Sequence, residues 1–347
     1  MRSPASQAPL PSSRLLFSAY PCRLPHVSIA DGEVYFGRLK DGDAGDAERE
    51  FLELADGRTP FAEIFGQRPH LLTAAGASRH AVWLSSPLAA PQLPAGGPRS
   101  LLLAAHPGDV ELSMGGLVMS RRHAERFTLL NCFSRQLATR SPAAFGSQQE
   151  VTAIRRDESW LAATVLGTET RYLDFPELAL RQAEAAGGRA ALPAEEPAAE
   201  LAAAVKLALH DAIEELAAEH VYAPAAVGDS PDQRMVFDAV LALYEEDYFP
   251  TTRYHFYENL PLAAAHLNVD DFLSRFEGSY LGLAPWFEGI DDVLADKLTL
   301  LEIFRSRLEF GSRRLLVEIG QRNARLERRG ADCAERFWTL RDTSPSE

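Results

Sequence analysis

Short apolar runs alternate with longer amphipathic stretches through the C-terminal two thirds of the chain. The apolar runs have the length of strands and predict five of them, at residues 101–105, 127–133, 170–175, 220–223 and 254–258. Between them, helical periodicity predicts helices at residues 149–166, 199–219 and 234–246. Alternating strands and helices favour a parallel sheet with helices packed on its faces. We therefore expect residues 99–347 to form an α/β domain with a Rossmann-like, mostly parallel sheet.

A region with a different pattern precedes this domain. Residues 22–87 contain HVSIADGEVYFGRL, which predicts strands, EREFLELADGRTPFAEIFG, which predicts two helices joined by a turn, and HAVWLSS, which predicts another strand. We expect a small N-terminal α+β module there. Residues 88–98 are rich in Pro, Gly and Ala and predict a linker between the two domains.

Two further segments lack the pattern of a packed element. Residues 1–21 are rich in Ser, Pro and Ala, which is typical of a disordered tail. Residues 183–197 are rich in Ala and Glu and are interrupted by Pro. They predict a solvated loop over the sheet, and a lid is the alternative.

Composition and charge narrow the classes of function. The chain has 347 residues, 46% of them hydrophobic, and a formal net charge of −14. Nucleic acids and anionic membranes bind positively charged surfaces, so the charge argues against both as partners. Three scattered cysteines form neither a disulfide framework nor a metal motif. With no signal-peptide pattern and no apolar run of membrane-spanning length, we expect a cytoplasmic protein.

The strongest chemical signal lies at the end of the first strand of the predicted sheet. There SLLLAAHPGDVELSMGG passes from apolar residues into a turn that contains His106 and Asp109. In open α/β sheets, ligands bind at the carboxyl ends of the strands. An imidazole and a carboxylate at that edge suit a Zn²⁺ site that takes further ligands from elsewhere. A His-Pro turn with an aspartate capping the next helix explains the same residues, and their spacing leaves both interpretations open.

The segment AHPGDVELSMGG resembles the first motif of the PIG-L/LmbE-type de-N-acetylase family, where it begins Ala-His-Pro-Asp-Asp and continues to a Gly pair. The resemblance extends over residues 99–340. The motifs that carry it further are Arg155-Arg156-Asp157-Glu158 with Ala162 and Leu166-Gly167, Ser230-Pro231-Asp232-Gln233, Tyr257-Glu258, Lys297 with Ser306, and Ala334-Glu335-Arg336-Phe337. The family consists of zinc hydrolases that remove acyl groups from amino sugars and similar amides. The resemblance therefore implies an LmbE-like fold.

Carried onto this sequence, the resemblance places zinc ligands at His106, Asp109 and Gln233. Gln233 replaces the histidine that closes the zinc site in the family. A neutral amide oxygen is a much weaker zinc ligand than an imidazole, so we expect zinc to be held weakly or not at all. The alternative is a rearranged metal shell that recruits Asp229 or Asp232.

The positions that perform the family's chemistry are also altered. Gly108 stands where the family has an aspartate as general base, and Ser230 stands where a histidine polarises the substrate carbonyl. The remaining candidates for catalytic residues are Asp232, which matches a family aspartate, and Ser230. Near the C-terminus, Arg307 replaces the glutamine that follows Ser306 in the family.

Four residues are candidates for substrate binding. The resemblance places an arginine of the substrate pocket at Arg155, although an ion pair with Glu158 on a helix surface explains it equally well. Glu111 lies one helical turn beyond Gly108. Asp174 follows the third strand and either faces the pocket or caps a turn. Tyr257 lies on the strand that closes the family's sheet.

These observations predict a PIG-L/LmbE-type protein with a degenerate zinc site and little or no amide hydrolase activity. We expect it to bind a small molecule, such as an N-acylated amino sugar, in a binding or accessory role in a biosynthetic pathway. The alternative is an active zinc-dependent de-N-acetylase, a hydrolase of non-peptide C–N bonds. In the N-terminal module, FLELADGRTPFAEI resembles PqqD-like peptide-recognition domains, which implies a peptide partner bound along a strand edge.

Overall fold

The computed structural model describes residues 18–40, 44–139, 142–185, 199–227, 230–260, 269–274, 276, 281–308, 312–327 and 330–342. The chain divides into two compact units, residues 1–89 and 90–347. The part of the chain that the structure describes contains no helix long and apolar enough to cross a membrane.

In the residues that the structure describes, the N-terminal unit contains two small antiparallel sheets and three short α-helices. Its strands are β1 (Tyr20–Arg23), β2 (Val27–Ala30), β3 (Glu33–Phe36), β4 (Leu39–Lys40) and β5 (Ala81–Leu84), and its helices are α1 (Asp46–Leu54), α2 (Phe61–Gln67) and α3 (Leu72–Ala77). Strand β1 pairs with β5, and β2, β3 and β4 form the second sheet. The rings of Phe51 and Phe61 pack on Trp83, with centroids 5.9 and 5.2 Å from it. This is the α+β arrangement that the sequence predicts.

The N-terminal unit differs from the prediction at its start. Strand β1 begins at Tyr20, inside the segment that we assigned to a disordered tail, because residues 20–23 pair in register with residues 81–84. Residues 1–17 lie outside the described residues. Strand β2 lies at the edge of its sheet. Peptide binding along such an edge stays a prediction.

The second unit is built on a seven-stranded sheet. Its strands are β6 (Arg99–Ala104), β7 (Arg126–Asn131), β8 (Glu169–Tyr172), β9 (His220–Pro224), β10 (Arg253–Tyr257), β11 (Leu281–Gly289) and β12 (Ala334–Asp342). Their order across the sheet is β11-β12-β10-β9-β6-β7-β8. The five strands from β10 to β8 are parallel, and β12 runs antiparallel to both β10 and β11. The predicted Rossmann-like, mostly parallel sheet is confirmed.

Helices connect the strands of this sheet. They are α4 (Asp109–Arg121), α5 (Gln148–Leu166), α6 (Leu178–Ala185), α7 (Ala199–Leu216), α8 (Pro231–Glu245), α9 (Val269–Ser274), α10 (Leu294–Ile303) and α11 (Ser312–Glu327). The three helices predicted from periodicity are present as α5, α7 and α8. The loop predicted at residues 183–197 begins inside α6, whose Leu180 is buried, and residues 186–198 lie outside the described residues.

Helix α4, which begins at the carboxyl end of β6, is broken near its middle. The backbone leaves helical geometry at Met114, which frees amide groups in the next turn. The carboxylate of Glu335 accepts hydrogen bonds from the amides of Gly116 and Leu117, at 2.9 and 2.7 Å. Lys297 donates to the same carboxylate at 2.5 Å. The part of α4 after the break is therefore anchored to β12 and, through Lys297, to α10.

Candidate functional site

The candidate site lies where the carboxyl ends of β6 and β9 meet. These strands are parallel neighbours, so the residues that follow them lie at one edge of the sheet. The turn after β6 and the first residue of α4 supply His106 and Asp109, and the first turn of α8 supplies Asp232 and Gln233. His106 Nε2 lies 2.8 Å from Asp232 Oδ2, and Gln233 Nε2 donates to Asp109 Oδ2 at 3.3 Å. The fold thus brings together four residues that the sequence nominates.

Asp109 is fully buried and surrounded by donors. Its Oδ2 accepts from the backbone amide of His106 at 3.0 Å and from the Gln233 amide, and its Oδ1 accepts from Arg307 Nη2 at 2.6 Å. Burial alone would raise the pKa of this carboxyl. The charge of Arg307 and the interaction with His106 outweigh burial and hold the pKa of Asp109 well below its usual range. Asp109 is therefore an anion with hydrogen-bond donors on both of its oxygens.

The hydrogen bonds of Asn259 determine how Gln233 is oriented. Asn259 Oδ1 accepts from the amide of Val227 at 2.9 Å, and its Nδ2 donates to the Val227 carbonyl at 3.0 Å. Asn259 therefore presents an N–H to its neighbour, and Gln233 Oε1 accepts it at 2.7 Å. With its oxygen engaged, Gln233 points its NH₂ group toward Asp109. The residue at the third ligand position presents a donor to the site, where a metal would need a lone pair.

His106 lies between two carboxylates. Its Nδ1 is 3.6 Å from Asp109 Oδ2, on the opposite side of the ring from Asp232. Burial lowers the pKa of the imidazole, but the two carboxylates raise it to about 9. Arg181 Nη2 lies 2.8 Å from Asp232 Oδ1, so that carboxylate is also paired with two cations. Both ring nitrogens of His106 therefore face a carboxylate oxygen, an arrangement that favours the protonated imidazole.

Gly108 stands where the family resemblance places an aspartate as general base. Its φ of +99° is in the left-handed region that favours glycine. A Cβ added there would lie 3.1 Å from both Arg307 Nη1 and a ring carbon of Phe304. Arg307 Nη1 donates to the carbonyl of Pro107 at 2.7 Å. The space beside residue 108 is therefore filled by the arginine and the phenylalanine that follow helix α10.

Two of the predicted substrate-binding residues lie in a buried layer behind the site. Glu111 accepts from Ser159 Oγ at 2.8 Å, and its other oxygen has no hydrogen-bond partner among the described residues. Burial raises the pKa of Glu111 to about 7. Arg155 is 4% exposed and donates from Nη2 to the carbonyl of Ala138 at 3.1 Å. Because Arg155 is buried, it does not form the helix-surface ion pair that was the alternative. Burial also lowers the pKa of its guanidinium to about 10.

Three other nominated residues have local contacts. Tyr257 is fully buried, and its hydroxyl donates to the carbonyl of Leu103 at 2.9 Å. Asp174 has a positive φ, accepts from Ser134 Oγ at 2.9 Å and pairs with Arg156, as a turn residue does. Ser230 is the N-cap of α8, and its Oγ accepts from the backbone N–H of Gln233 at 3.5 Å. None of these contacts reaches His106 or Asp109.

The residues at the zinc-ligand positions do not fit a zinc ion in this arrangement. Zinc needs a neutral imidazole nitrogen, a carboxylate with an open lone pair and a third ligand of the same kind. Here both imidazole nitrogens face carboxylate oxygens, the carboxylate of Asp109 is bound to a guanidinium, and the third position is an N–H donor. Among the described residues, no group of three or more His, Cys, Asp and Glu side chains could hold a metal. Asp229, which the rearranged shell would recruit, lies outside these residues.

Three residues of this site are not among the candidates that the sequence predicts. Arg307 was noticed as a departure from the family pattern but was not placed in the site. Asn259 and Arg181 were not singled out. Arg307 and Asp109 are separated by 198 positions, and Arg181 lies in α6, beside the segment predicted to be a loop. The replacement of a neutral glutamine by arginine next to Ser306 was the available signal for the first of them.

Comparison with known proteins agrees with this fold. Residues 101–244 match the PIG-L family, GlcNAc-PI de-N-acetylase. The 2'-N-acetylparomamine deacetylase of Streptomyces fradiae is 30% identical over 257 residues, which cover 70% of this chain and 89% of that protein. The zinc-inhibited form of teicoplanin deacetylase superimposes with a TM-score of 0.56 at 18% identity, and the match covers 72% of this chain and 100% of that one. The deacetylase of the A40926 pseudoaglycone gives 0.54 at 20% identity, with the same coverage. The predicted family is thereby confirmed, and the chain belongs to the PIG-L family of GlcNAc-PI de-N-acetylases.

Proposed function

We propose that this protein binds a small N-acylated amino sugar, or a related amide, without hydrolysing it through zinc. It would serve a binding or accessory role in a biosynthetic pathway. The observation that carries the proposal is the pairing of Asp109, a zinc-ligand position of the family, with the guanidinium of Arg307 at 2.6 Å. A carboxylate that an internal cation already neutralises attracts a metal ion less strongly.

The remaining chemistry supports the same proposal. Zinc hydrolases need the metal to lower the pKa of a bound water and a carboxylate base to take its proton. Gly108 supplies no base. The loss of a group that polarises the carbonyl, here replaced by the helix-capping Ser230, costs about 3 kcal/mol of transition-state stabilisation by analogy with oxyanion-hole donors. Each of the three requirements is unmet, while the scaffold around them is intact.

The class of ligand follows from the relatives and from the chemistry of the site. The named relatives deacetylate 2'-N-acetylparomamine and teicoplanin, which favours an N-acetylated sugar as the ligand here. The partly exposed side chains at the strand ends are mostly donors: His106 is 15% exposed, Arg307 11% and Arg181 19%. Donors of this kind suit the carbonyl and hydroxyl oxygens of such a ligand.

An active de-N-acetylase is the competing proposal, and one observation favours it. The match to the paromamine deacetylase covers 89% of that enzyme. In this alternative the metal shell is rearranged, with Asp229 or Asp232 as a ligand, and the protein hydrolyses a non-peptide C–N bond.

A combined binding and turnover experiment separates the two. The full chain is titrated with 2'-N-acetylparomamine by calorimetry, with and without added zinc, and release of acetate is followed in the same samples. We expect saturable binding, no dependence on zinc and no acetate. A surface variant, Arg234→Ala, should behave as the unmodified protein does. Arg234 lies beside Gln233 on the same helix but pairs with the exposed Asp238. Zinc-dependent release of acetate would establish the competing proposal, and the absence of any binding would refute the ligand class.

A further inference from the structure

We infer that the guanidinium of Arg307 takes the place of the metal ion of this family, as an internal cation built into the chain. The inference rests on the proposed function and deepens it, because it states why zinc is absent from the chemistry. It concerns a residue that the family pattern does not assign to the metal site.

The guanidinium of Arg307 contacts one ligand position, Asp109, and the backbone of the turn that carries it. Its Nη2 donates to Asp109 Oδ1 at 2.6 Å, and its Nη1 donates to the carbonyl of Pro107 at 2.7 Å. The two acceptors lie on either side of Gly108, so the planar guanidinium spans the turn after β6. Two of its five N–H groups are used in this way. A zinc ion bound through Asp109 Oδ1 would have to displace the guanidinium, and one bound through Oδ2 would lie beside its positive charge.

The backbone before Arg307 is held firmly by helix α5. Glu158 accepts from the amide of Ser306 at 2.8 Å and from its hydroxyl at 2.6 Å, and all of these groups are buried. The turn after α10 is therefore fixed one residue before the arginine. This contact joins two family motifs, those containing Glu158 and Ser306. The position that it fixes, residue 307, is a glutamine in the family and an arginine here.

Gly108 and Arg307 depend on each other sterically. A side chain at residue 108 would begin 3.1 Å from Arg307 Nη1, which is tighter than an ordinary contact. An aspartate at residue 108, as in the family, would therefore require Arg307 or Phe304 to move by a few tenths of an ångström. The glycine thus suits the position that the guanidinium occupies.

The replacement keeps a positive charge at Asp109 and removes reactivity. A guanidinium neutralises the Asp109 carboxylate, with one positive charge where zinc carries two. A guanidinium cannot ionise a bound water, since it offers N–H donors and no vacant coordination position. The site can therefore orient an oxygen-bearing ligand but cannot generate a metal hydroxide.

The test is a cycle of zinc titrations on the full chain. The variants are Gln233→His, which returns the third ligand, and Gln233→His with Arg307→Gln, which also removes the internal cation. Zinc binding is measured by calorimetry and thermal stability by circular dichroism. We expect the double variant to bind zinc about 10- to 100-fold more tightly than Gln233→His alone, a difference of about 1.4–2.8 kcal/mol. Gln233→His with Arg307→Lys keeps a cation and should bind as weakly as Gln233→His.

Controls separate a specific effect from unfolding. Arg314→Gln makes the same change at an exposed ion pair and should alter neither zinc affinity nor melting temperature. Arg307→Gln alone should lower the melting temperature by roughly 10 °C, because it leaves Asp109 buried without its cation. Arg307→Met in the Gln233→His background is a second variant with the same expected gain in zinc affinity.

Two results would overturn the inference. One is equal zinc affinity in the Gln233→His protein with and without Arg307. The other is a melting temperature that Arg307→Gln leaves unchanged. Either result could occur in a protein that still binds 2'-N-acetylparomamine without turnover, in which case the proposed function would stand. If the wild type released acetate while the variants showed that Arg307 weakens zinc binding, the proposed function would be refuted and the inference about Arg307 would stand.

Discussion

Two buried ion pairs take their cations from the same stretch of chain, helix α10 and the turn after it. They differ in the part of the molecule that each one stabilises. The scaffold pair, Lys297 with Glu335, binds the broken helix α4 to strand β12. The site pair, Arg307 with Asp109, lies at the carboxyl end of β6. Lys297 belongs to a family motif, whereas Arg307 departs from one. The scaffold pair therefore follows the family pattern, whereas the site pair lies at Asp109, a zinc-ligand position of the family.

The largest effect should come from breaking the scaffold pair. Lys297→Met leaves Glu335 charged and buried, with both partners 5% exposed or less. Removing one partner of such a pair costs about 3–5 kcal/mol of unfolding free energy. Chemical denaturation measures it, and Arg314→Met at an exposed pair, expected to cost less than about 1 kcal/mol, is the control. Equal losses in the two variants would show that Lys297 is not structural.

A second effect should distinguish the two pairs by pH. The pKa of His106 is raised from 6.5 to about 9, so the charged imidazole stabilises the folded state fully below pH 6.5, and this contribution is lost as the pH rises through about 9. The loss should be about 3 kcal/mol in wild type between pH 6 and 10. The scaffold pair contains no histidine and should not contribute to it.

The control for this pH effect is His106→Asn, measured over the same range by chemical denaturation. We expect its unfolding free energy to lose about 3 kcal/mol less than that of wild type. Parallel pH profiles of the two proteins would contradict the placement of His106 between Asp109 and Asp232.

A smaller effect should follow from filling the space beside residue 108. Gly108→Ala places a Cβ at a φ of +99° and 3.1 Å from Arg307 Nη1 and Phe304. Strain of this kind costs about 1–2 kcal/mol. Gly66→Ala is the matched control, since Gly66 has a helical backbone and nothing within 4 Å of the added Cβ. A stability of Gly108→Ala equal to that of the control would mean that the space is open.

The smallest effect concerns Ser230, which was nominated as catalytic. Its Oγ caps helix α8, so Ser230→Ala should cost about 0.5–1 kcal/mol, and Ser230→Asp, which also caps, should restore the stability. Binding of 2'-N-acetylparomamine should be retained in both variants, as calorimetry would show. Loss of ligand binding in both, without loss of stability, would return Ser230 to the site.

Much of the framework could be predicted from the sequence. The strands at residues 101–105 and 220–223 are apolar runs bounded by turns, and their parallel pairing places His106 beside Asp232. Arg307 could not be placed in this way. Its contact with Asp109 joins positions 198 residues apart, and it depends on a turn held by Glu158 and not on any periodic pattern. The orientation of the Gln233 amide likewise depends on the hydrogen bonds of Asn259, which sequence does not encode locally.

The central claim, that an internal guanidinium takes the place of the metal, is tested most directly by the metal content of the wild-type protein. The full chain is purified without chelator, incubated with micromolar zinc, dialysed and measured by elemental analysis beside His106→Ala. We predict no stoichiometric zinc in either protein. One zinc per chain in the wild type, lost in His106→Ala, would contradict the claim.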